Sequence, residues 1–339
     1  MTVGLIDELR SNLPGDAETT PEDTWDLLRQ RVTILSLRAW EGRNEWPAVL
    51  AWLDNFDGRS GVDAEVERLH ALFLLSQFLY VGSIETRVLL RAIYRDLFLI
   101  PLIQEVRTAL GGTRDEKAVG EAVDEELSKT RFLGVGNPSE SGVHLLYYFR
   151  QENLLGKHHF MDSAAIFVNE QRPDGTTCRV LAQPDIERYV FVDDICGSGK
   201  TALAYSKNLL SDILDKKADA KLHYLSMFAS SDGLKAVREK SKFGQNCGTV
   251  FELDESYRCL GEASRIMHAA PAHIDGKVLR EMALCYGKAL VPRHPGGFDD
   301  SQLLLGFHHN TPDNTLPIIW SEGSVSQPWT PAFRRYPKI

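Results

Sequence analysis

Residues 189–201, with the sequence YVFVDDICGSGKT, place the tightest limit on how this chain can fold. Apolar residues end in the adjacent acids Asp193 and Asp194, and a glycine-containing loop then leads into a helix-forming run. A strand, a tight loop and a helix start in this order direct backbone N–H groups and the positive end of a helix toward one point. The stretch therefore predicts a binding site for a phosphate or another anion.

The end of this loop, Gly199-Lys200-Thr201, matches the end of the Walker A loop of nucleoside triphosphatases. That loop also needs a glycine at the position of Asp194, where a carboxylate would repel the β-phosphate. A nucleoside triphosphatase is therefore the less favoured interpretation. A buried strand that ends in a capped turn is a further alternative, but two adjacent acids at a strand end serve no packing purpose.

Composition excludes several classes of protein. The 339 residues, 43% of them hydrophobic, can bury a sizeable core, and their number favours about two domains. A net charge of -9 provides no general attraction for nucleic acid, so any such contact would be local or supplied by a partner. The five cysteines are odd in number and include no C-x-x-C pair, which argues against a disulfide framework and a cysteine zinc site. Without a signal-peptide pattern or a membrane-length apolar run, we expect a cytoplasmic protein with no membrane role.

The sequence pattern of residues 1–127 predicts that this part of the chain forms an all-α bundle. Thr20 and Pro21 suit the N-cap and first position of a helix, and helical spacing of apolar residues follows them. Arg87, Arg91 and Arg95 form a stripe on a later helix, which favours a solvent-facing surface, with a partner or anion contact as the alternative. This half suggests no chemistry, and we expect any protein or nucleoprotein partner to bind through it.

From Thr130 onward, apolar strands alternate with helix-forming segments. Strands are expected at 131–135, 164–168, 178–181, 222–228, 249–253 and 303–307. This alternation is typical of βαβ units, so we expect a mostly parallel twisted sheet flanked by helices, with ligands at the carboxyl ends of its strands. The chain would then divide into a helical domain over 1–127 and an α/β domain with a C-terminal hood over 128–339.

The stretch at 189–201 resembles the phosphoribosyl pyrophosphate (PRPP) signature of type I phosphoribosyltransferases. The resemblance implies that Asp193 and Asp194 bind the ribose hydroxyls and that the following loop holds the 5′-phosphate through Gly197, Ser198, Gly199, Lys200 and Thr201. It also implies that the loop after the first core strand binds pyrophosphate, through Asn137, Ser139 and Ser141. Cys196 and Gly197 depart from the usual residues of the signature, and Lys200 has no counterpart in it.

Two further segments supply candidate substrate residues. Arg172 lies in a turn between two strands, where the resembled family carries a flexible loop that closes over PRPP. Polar residues also follow the apolar run at 303–307, namely His308, His309, Asn310, Asp313 and Asn314. Such a concentration after a strand favours ligand contact, and a turn-rich strap with local backbone caps is the alternative.

Three polar segments, at 136–142, 193–201 and 309–317, together resemble a phosphoribosyltransferase-like family of bacterial conflict systems. Some members of that family accompany retron reverse transcriptases in antiviral defence. The resemblance implies attack at C1′ of PRPP, with Mg2+ on the leaving pyrophosphate. Two alternatives stay open: a regulatory module that senses PRPP or a nucleotide without turnover, and an effector that cleaves the N-glycosidic bond of a nucleotide.

Overall fold

The computed structural model of the chain describes residues 19–136 and 141–336, which form two compact units. The helical unit contains the described residues up to Gly82 and those from Glu255 onward, and the sheet unit is Ser83–Asp254. Within the described ranges, no helix combines the length and the apolar character needed to cross a membrane.

The α-helices, in chain order, are α1 (Pro21–Arg38), α2 (Trp46–Leu53), α3 (Ala64–Ser76), α4 (Ser83–Ala92), α5 (Ile100–Ala109), α6 (Glu116–Ser128), α7 (Ser141–Glu152), α8 (Lys200–Tyr205), α9 (Ser211–Lys216), α10 (Ser231–Lys240), α11 (Gly276–Leu290) and α12 (Pro317–Trp320). Wider π-helical turns, Ile93–Leu99 and Ser206–Leu210, join α4 to α5 and α8 to α9. Short 3-10 turns occupy Lys157–His159, Ser163–Ala165, Glu255–Tyr257, Arg265–Ala269 and Phe298–Asp300.

The strands are β1 (Leu79–Val81), β2 (Thr130–Gly134), β3 (Phe167–Gln171), β4 (Thr177–Leu181), β5 (Arg188–Cys196), β6 (Lys221–Ser230), β7 (Cys247–Leu253), β8 (Leu305–Phe307), β9 (Gly323–Ser324) and β10 (Gln327–Pro328). Four of them form a parallel sheet in the order β2-β5-β6-β7. The prediction of an α/β chain with a parallel sheet is therefore confirmed.

Helices cover both faces of this sheet. On one face, Ala202, Leu210, Ile213, Leu234 and Val237 of the helical segments after β5 and β6 join a core with buried sheet residues. On the other face, Phe98 and Phe149 make ring contacts with Phe132 of β2. The long apolar run of β5 follows from this burial on two sides.

The helical unit is built around its own apolar core. Helix α1 begins with the predicted Thr20 N-cap, which forms a capping box with Asp23, and Pro21 takes the first position. The ring of Phe78 stacks on Phe333 with centroids 4.2 Å apart, and the Trp52 indole N–H donates to the Ile318 carbonyl at 2.8 Å. The C-terminal segment thus packs with the N-terminal helices.

Packing divides the chain at Ser83 and Asp254, and not at the boundary of 127 and 128 expected from the sequence. Residues 83–128 belong to the sheet unit, where Arg87 pairs with Glu152 of α7 at 2.6 Å. Arg91 lies 3.8 Å from the same carboxylate, and Arg95 pairs with Asp96. The arginine stripe is therefore engaged in partly exposed ion pairs.

Candidate functional site

The acid pair lies at the carboxyl end of β5, inside the hydrogen-bonded ladder. Asp193 is in register with Ser226 of β6, and the ladder continues to Cys196. Each acid is only 8% exposed. The parallel sheet therefore brings both acids to the edge where such sheets bind ligands, but it buries them there.

Asp193 is held by two hydrogen bonds. The Tyr224 hydroxyl donates to its Oδ2 at 2.8 Å, and the Asp194 N–H donates to its Oδ1 at 3.0 Å. Burial, and next the adjacent charge of Asp194, raise the pKa of Asp193 well above its usual value. Burial at this position thus favours the protonated form of the Asp193 carboxyl group.

Tyr224 and Cys196 complete this buried group. Burial raises the pKa of the Tyr224 hydroxyl, and it raises the pKa of the Cys196 thiol to about 12. The thiolate is the reactive form of cysteine, so Cys196 is not a nucleophile at neutral pH. The group stabilises the start of the loop and offers no attacking side chain.

The loop after β5 packs directly on the start of α10. Gly199 has φ +72°, and a Cβ there would lie 2.9 Å from the Gly233 carbonyl oxygen. A Cβ on Gly233 would in turn lie 2.2 Å from the Gly197 carbonyl oxygen. Only glycine fits at either position, because one needs the left-handed region and the other has no room for a side chain.

The Ser230 hydroxyl orients this loop, since it donates to the Gly197 carbonyl oxygen and accepts the Gly233 N–H at 2.9 Å. In a planar trans peptide the N–H points away from the carbonyl, so the Ser198 N–H points away from α10. Helix α8 then starts at Lys200, with the Leu203 N–H bonded to the Gly199 carbonyl at 2.9 Å. This arrangement suits an anion on the loop amides.

Gly136, where the described residues after β2 end, is bonded to α8. The Tyr205 hydroxyl of α8 donates to the Gly136 carbonyl at 2.6 Å and accepts the Gly136 N–H at 2.8 Å. The Val135 N–H also bonds the Val192 carbonyl at 3.1 Å. The predicted phosphate loop after β5 and the predicted pyrophosphate loop after β2 thus start at the same sheet edge. Asn137 and Ser139 lie outside the described residues, and Ser141 begins α7.

Arg172 lies in the turn of the antiparallel β3–β4 hairpin. Its N–H bonds the Thr176 carbonyl at 2.7 Å, and its carbonyl accepts the Gly175 N–H at 2.9 Å. The predicted pair of strands around a turn is therefore present. The first strand starts at Phe167 and not at Ala164, because Ser163–Ala165 forms a 3-10 turn.

The polar tail residues belong to the helical unit, where they bond local backbone and side chains. His308 donates its N–H to the Val81 carbonyl at 2.8 Å, and the His309 ring stacks on Phe307. Asn310 accepts the Thr311 and Tyr336 N–H groups, Asp313 pairs with Arg335 at 3.1 Å, and Asn314 donates to Ser301 at 3.0 Å. Such local contacts are the ones expected of a turn-rich C-terminal strap, the alternative to a ligand site.

Three residues of the site were missed by sequence reasoning: Tyr205, Tyr224 and Gly233. Gly233 carried a signal, because a glycine in the first turn of a helix is costly without a packing reason. The two tyrosines carried none, since their partners are distant in sequence. In the ranges the structure describes, no group of three His, Cys, Asp or Glu side chains could hold a metal ion.

A model of the PRTase-CE family matches residues 49–335. Among solved structures, the Helicobacter pylori xanthine-guanine-hypoxanthine phosphoribosyltransferase shares 12% identity with the chain, over 52% of this chain and 86% of that one, at a TM-score of 0.26. A TM-score this low does not support a shared fold. No curated protein matches the chain.

Proposed function

The chain belongs to the PRTase-CE family, and from that premise we propose that its sheet unit binds PRPP or a nucleotide containing ribose 5-phosphate and transfers the phosphoribosyl group at C1′. The observation that supports the proposal is that Gly136, the glycine loop after β5 and the acid pair lie at one sheet edge. Tyr205 of α8 bonds to Gly136, and the acids lie near the carboxyl end of β5. The resemblance of the three polar segments to proteins of bacterial conflict systems extends the proposal to an effector role in antiviral defence.

Each part of the ligand has a proposed partner. The loop from Gly197 to Thr201 holds the 5′-phosphate through its amides and the Lys200 ammonium. The acid pair holds the ribose hydroxyls, and the loop beyond Gly136 receives the pyrophosphate. The tail residues and Arg172 stay predicted substrate residues, to which this proposal assigns no part of the ligand. The bonds of Arg172 given above involve its main chain only.

Mg2+ would reach this site on the diphosphate. The described residues offer no three-ligand cluster, and Mg2+ commonly binds substrate phosphates with one or two carboxylates. Bound in this way, the ion would neutralise the leaving pyrophosphate. The chain itself contributes positioning of the ribose and the 5′-phosphate, on which catalysis at a cationic C1′ rests together with neutralisation of the leaving diphosphate.

The burial of the acids favours one second candidate, a module that senses PRPP or a nucleotide without turnover and reports to a protein or nucleic-acid partner. The Tyr224 hydroxyl and the Asp194 N–H hold Asp193 in a buried position, and burial raises the pKa of both Asp193 and the Cys196 thiol. We assign no general acid or base among the described residues, and a site that only recognises a sugar phosphate needs neither.

One experiment separates these functions. The purified full chain would be incubated with Mg2+ and labelled PRPP, and separately with labelled nucleotides. Pyrophosphate release supports transfer, release of free base supports N-glycosidic cleavage, and binding without products supports sensing. Failure to bind any of these sugar phosphates would refute the site.

A further inference from the structure

Helices α4 and α7 lie side by side in the sheet unit. The Asn153 side chain, just after α7, donates to the Leu90 carbonyl of α4 at 3.4 Å. The Arg87 guanidinium of α4 pairs with Glu152 and lies over the Tyr148 ring, 4.6 Å from its centroid. The two helices therefore form one layer with a common outer surface.

This outer surface exposes four large apolar or aromatic side chains. On α4, Ile84 is 70% exposed and Val88 is 47% exposed, one turn apart and opposite the buried side of the helix. On α7 and just beyond its end, Tyr147 is 56% exposed and Leu154 is 93% exposed. Apolar side chains gathered on one surface of a folded chain mark a contact with another molecule.

Leu154 is costly in the isolated chain. Its φ is +54°, and the Leu155 N–H bonds the Arg150 carbonyl at 3.1 Å, so Leu154 takes the left-handed position that closes a helix. Glycine or asparagine is usual there, because a bulky side chain is strained in this region. Contact with another molecule would give this exposed leucine the packing that it lacks in the single chain.

The charges on α4 match those of a second copy of the same helix. Glu85 lies three positions before Val88 and Arg91 lies three positions after it, and both charged residues are exposed. When two copies of α4 run antiparallel with Val88 at the crossing point, each Glu85 comes opposite an Arg91. Most homo-oligomers are symmetric, and in a twofold dimer one surface contacts its own copy. The outer surface of α4 is therefore complementary to itself in charge.

We propose that the chain forms a twofold-symmetric dimer through the outer surface of α4 and α7. Helix α4 crosses its copy in antiparallel fashion, with the two Val88 side chains at the axis and Glu85 paired with the partner's Arg91. Ile84 then comes opposite position 92 of the partner's α4, near the end of α7, where the partner's Leu154 lies. This inference does not depend on what the sheet unit binds.

The state of association tests the proposal. Sedimentation velocity of the full chain, from about 1 to about 200 µM at low salt, should show a monomer that converts to a dimer as concentration rises. Val88→Asp should weaken dimerisation by at least about tenfold, because it brings two carboxylates together at the axis. A chain that stays monomeric throughout this range, or a dimer that Val88→Asp leaves unchanged, would overturn the proposal.

Exchange of the two charges tests the antiparallel arrangement. Glu85→Arg and Arg91→Glu should each weaken dimerisation by about tenfold, since each places like charges opposite one another at two symmetric positions. The double variant restores opposite charges and should dimerise within about threefold of the parent chain. Arg91 also lies 3.8 Å from Glu152, but the double variant keeps that local change, so recovery reports on the interface. A double variant as weak as either single variant would overturn the arrangement.

Leu154→Gly separates the interface from the fold. Glycine suits the left-handed position, so the monomer of this variant should be no less stable than the parent monomer in urea denaturation. Its dimerisation should nevertheless weaken by roughly threefold to tenfold, because an apolar contact is lost. The control is Ile34→Asp on α1, a residue 60% exposed and outside the proposed surface, which should leave dimerisation unchanged. Loss of the dimer in Ile34→Asp and not in Leu154→Gly would place the interface on α1 and overturn the proposal.

Discussion

The Tyr205 hydroxyl donates to the Gly136 carbonyl oxygen at 2.6 Å and accepts the N–H of the same residue at 2.8 Å. Tyr205 ends the helix that follows the glycine loop, and Gly136 starts the loop after β2. One hydroxyl therefore satisfies both backbone groups of Gly136 and holds this residue against α8. The proposed pyrophosphate site begins at Gly136, so its position depends on this contact.

Tyr205→Phe should destabilise the chain by about 1 kcal/mol and weaken PRPP binding by roughly threefold to tenfold, because two partly buried backbone groups lose their partner. Urea denaturation and equilibrium binding measure the two effects. Tyr147→Phe is the matched control, since that exposed hydroxyl bonds only the Gln151 side chain among the contacts described. Equal behaviour of the two variants would contradict the assigned role of Tyr205.

Gly233→Ala should destabilise the chain by about 1–3 kcal/mol, because the new methyl group would meet the Gly197 carbonyl oxygen at 2.2 Å. The matched control is Gly120→Ala in α6, where a Cβ meets nothing within 4 Å. That variant should be stabilised by roughly 0.5–1 kcal/mol through helix propensity. Thermal unfolding gives the sign of each change, and stabilisation by both alanines would mean that the loop does not contact α10 this closely.

Lys200→Ala should weaken PRPP binding by about tenfold, because an ammonium near the 5′-phosphate is removed. Lys207→Ala, farther along the same helical segment, is the control and should have little effect. The same pair decides the Walker alternative: ATP hydrolysis that disappears in Lys200→Ala only would favour a nucleoside triphosphatase. We expect no such hydrolysis.

Asp193 should make stability decline as pH rises. Its raised pKa means that the folded chain holds this proton more tightly than the unfolded chain does. Its contribution is therefore fully present below the ordinary pKa of about 4 and is lost as pH rises through the raised value, with a limiting slope of about 1.4 kcal/mol per pH unit. The groups facing it are Asp194, Tyr224 and Cys196.

Asp193→Asn removes this dependence, so its stability relative to the parent chain should grow in urea denaturation as the pH rises above about 4. Asp174→Asn is the control with the opposite sign, because Thr176 hydrogen bonds lower the pKa of Asp174. A constant difference between Asp193→Asn and the parent chain would show that the pKa of Asp193 is not raised in the folded state.

The sequence predicted the sheet well because β2, β5 and β6 are mostly apolar and buried. The expected strand at 131–135 is Thr130–Gly134, and that at 249–253 lies within Cys247–Leu253. The hairpin strand β3 was displaced because its residues are mostly exposed, so apolar content did not mark it. Hydrophobic periodicity reports burial, and it loses register where a strand is not buried.

The sequence predicted where the acid pair lies along the chain, but not which contacts its side chains make. The motif placed the acids at a strand end, but it extended the strand only to Val192, whereas the ladder reaches Cys196. That the Asp193 carboxyl belongs to the core depends on Tyr224, which is 31 positions away across a strand pair. Likewise, the division into units depends on Phe78 and Phe333, and one sequence does not reveal such long-range contacts.

Arg188 is the buried charge at the other end of β5. Its side chain is 3% exposed and pairs with Glu105 and Glu126, each at 3.1 Å. Lys221 also contacts Glu105, and burial, with the nearby charge of Arg188, lowers the pKa of His223 to about 4. A cation enclosed in this way holds helices α5 and α6 against the start of the sheet.

Arg188→Met should therefore destabilise the chain by about 3 kcal/mol, because it leaves two carboxylates at a partly buried position without their main cation. Arg179→Met is the matched control: its ion pair with Asp212 is about half exposed, so the loss should stay within about 1 kcal/mol. Urea denaturation of both variants at low and high salt measures the difference. Salt should reduce the effect at Arg179 and leave most of that at Arg188, because screening acts mainly on exposed pairs. Equal losses at the two positions would show that Arg188 is not the ion that joins these helices to the sheet.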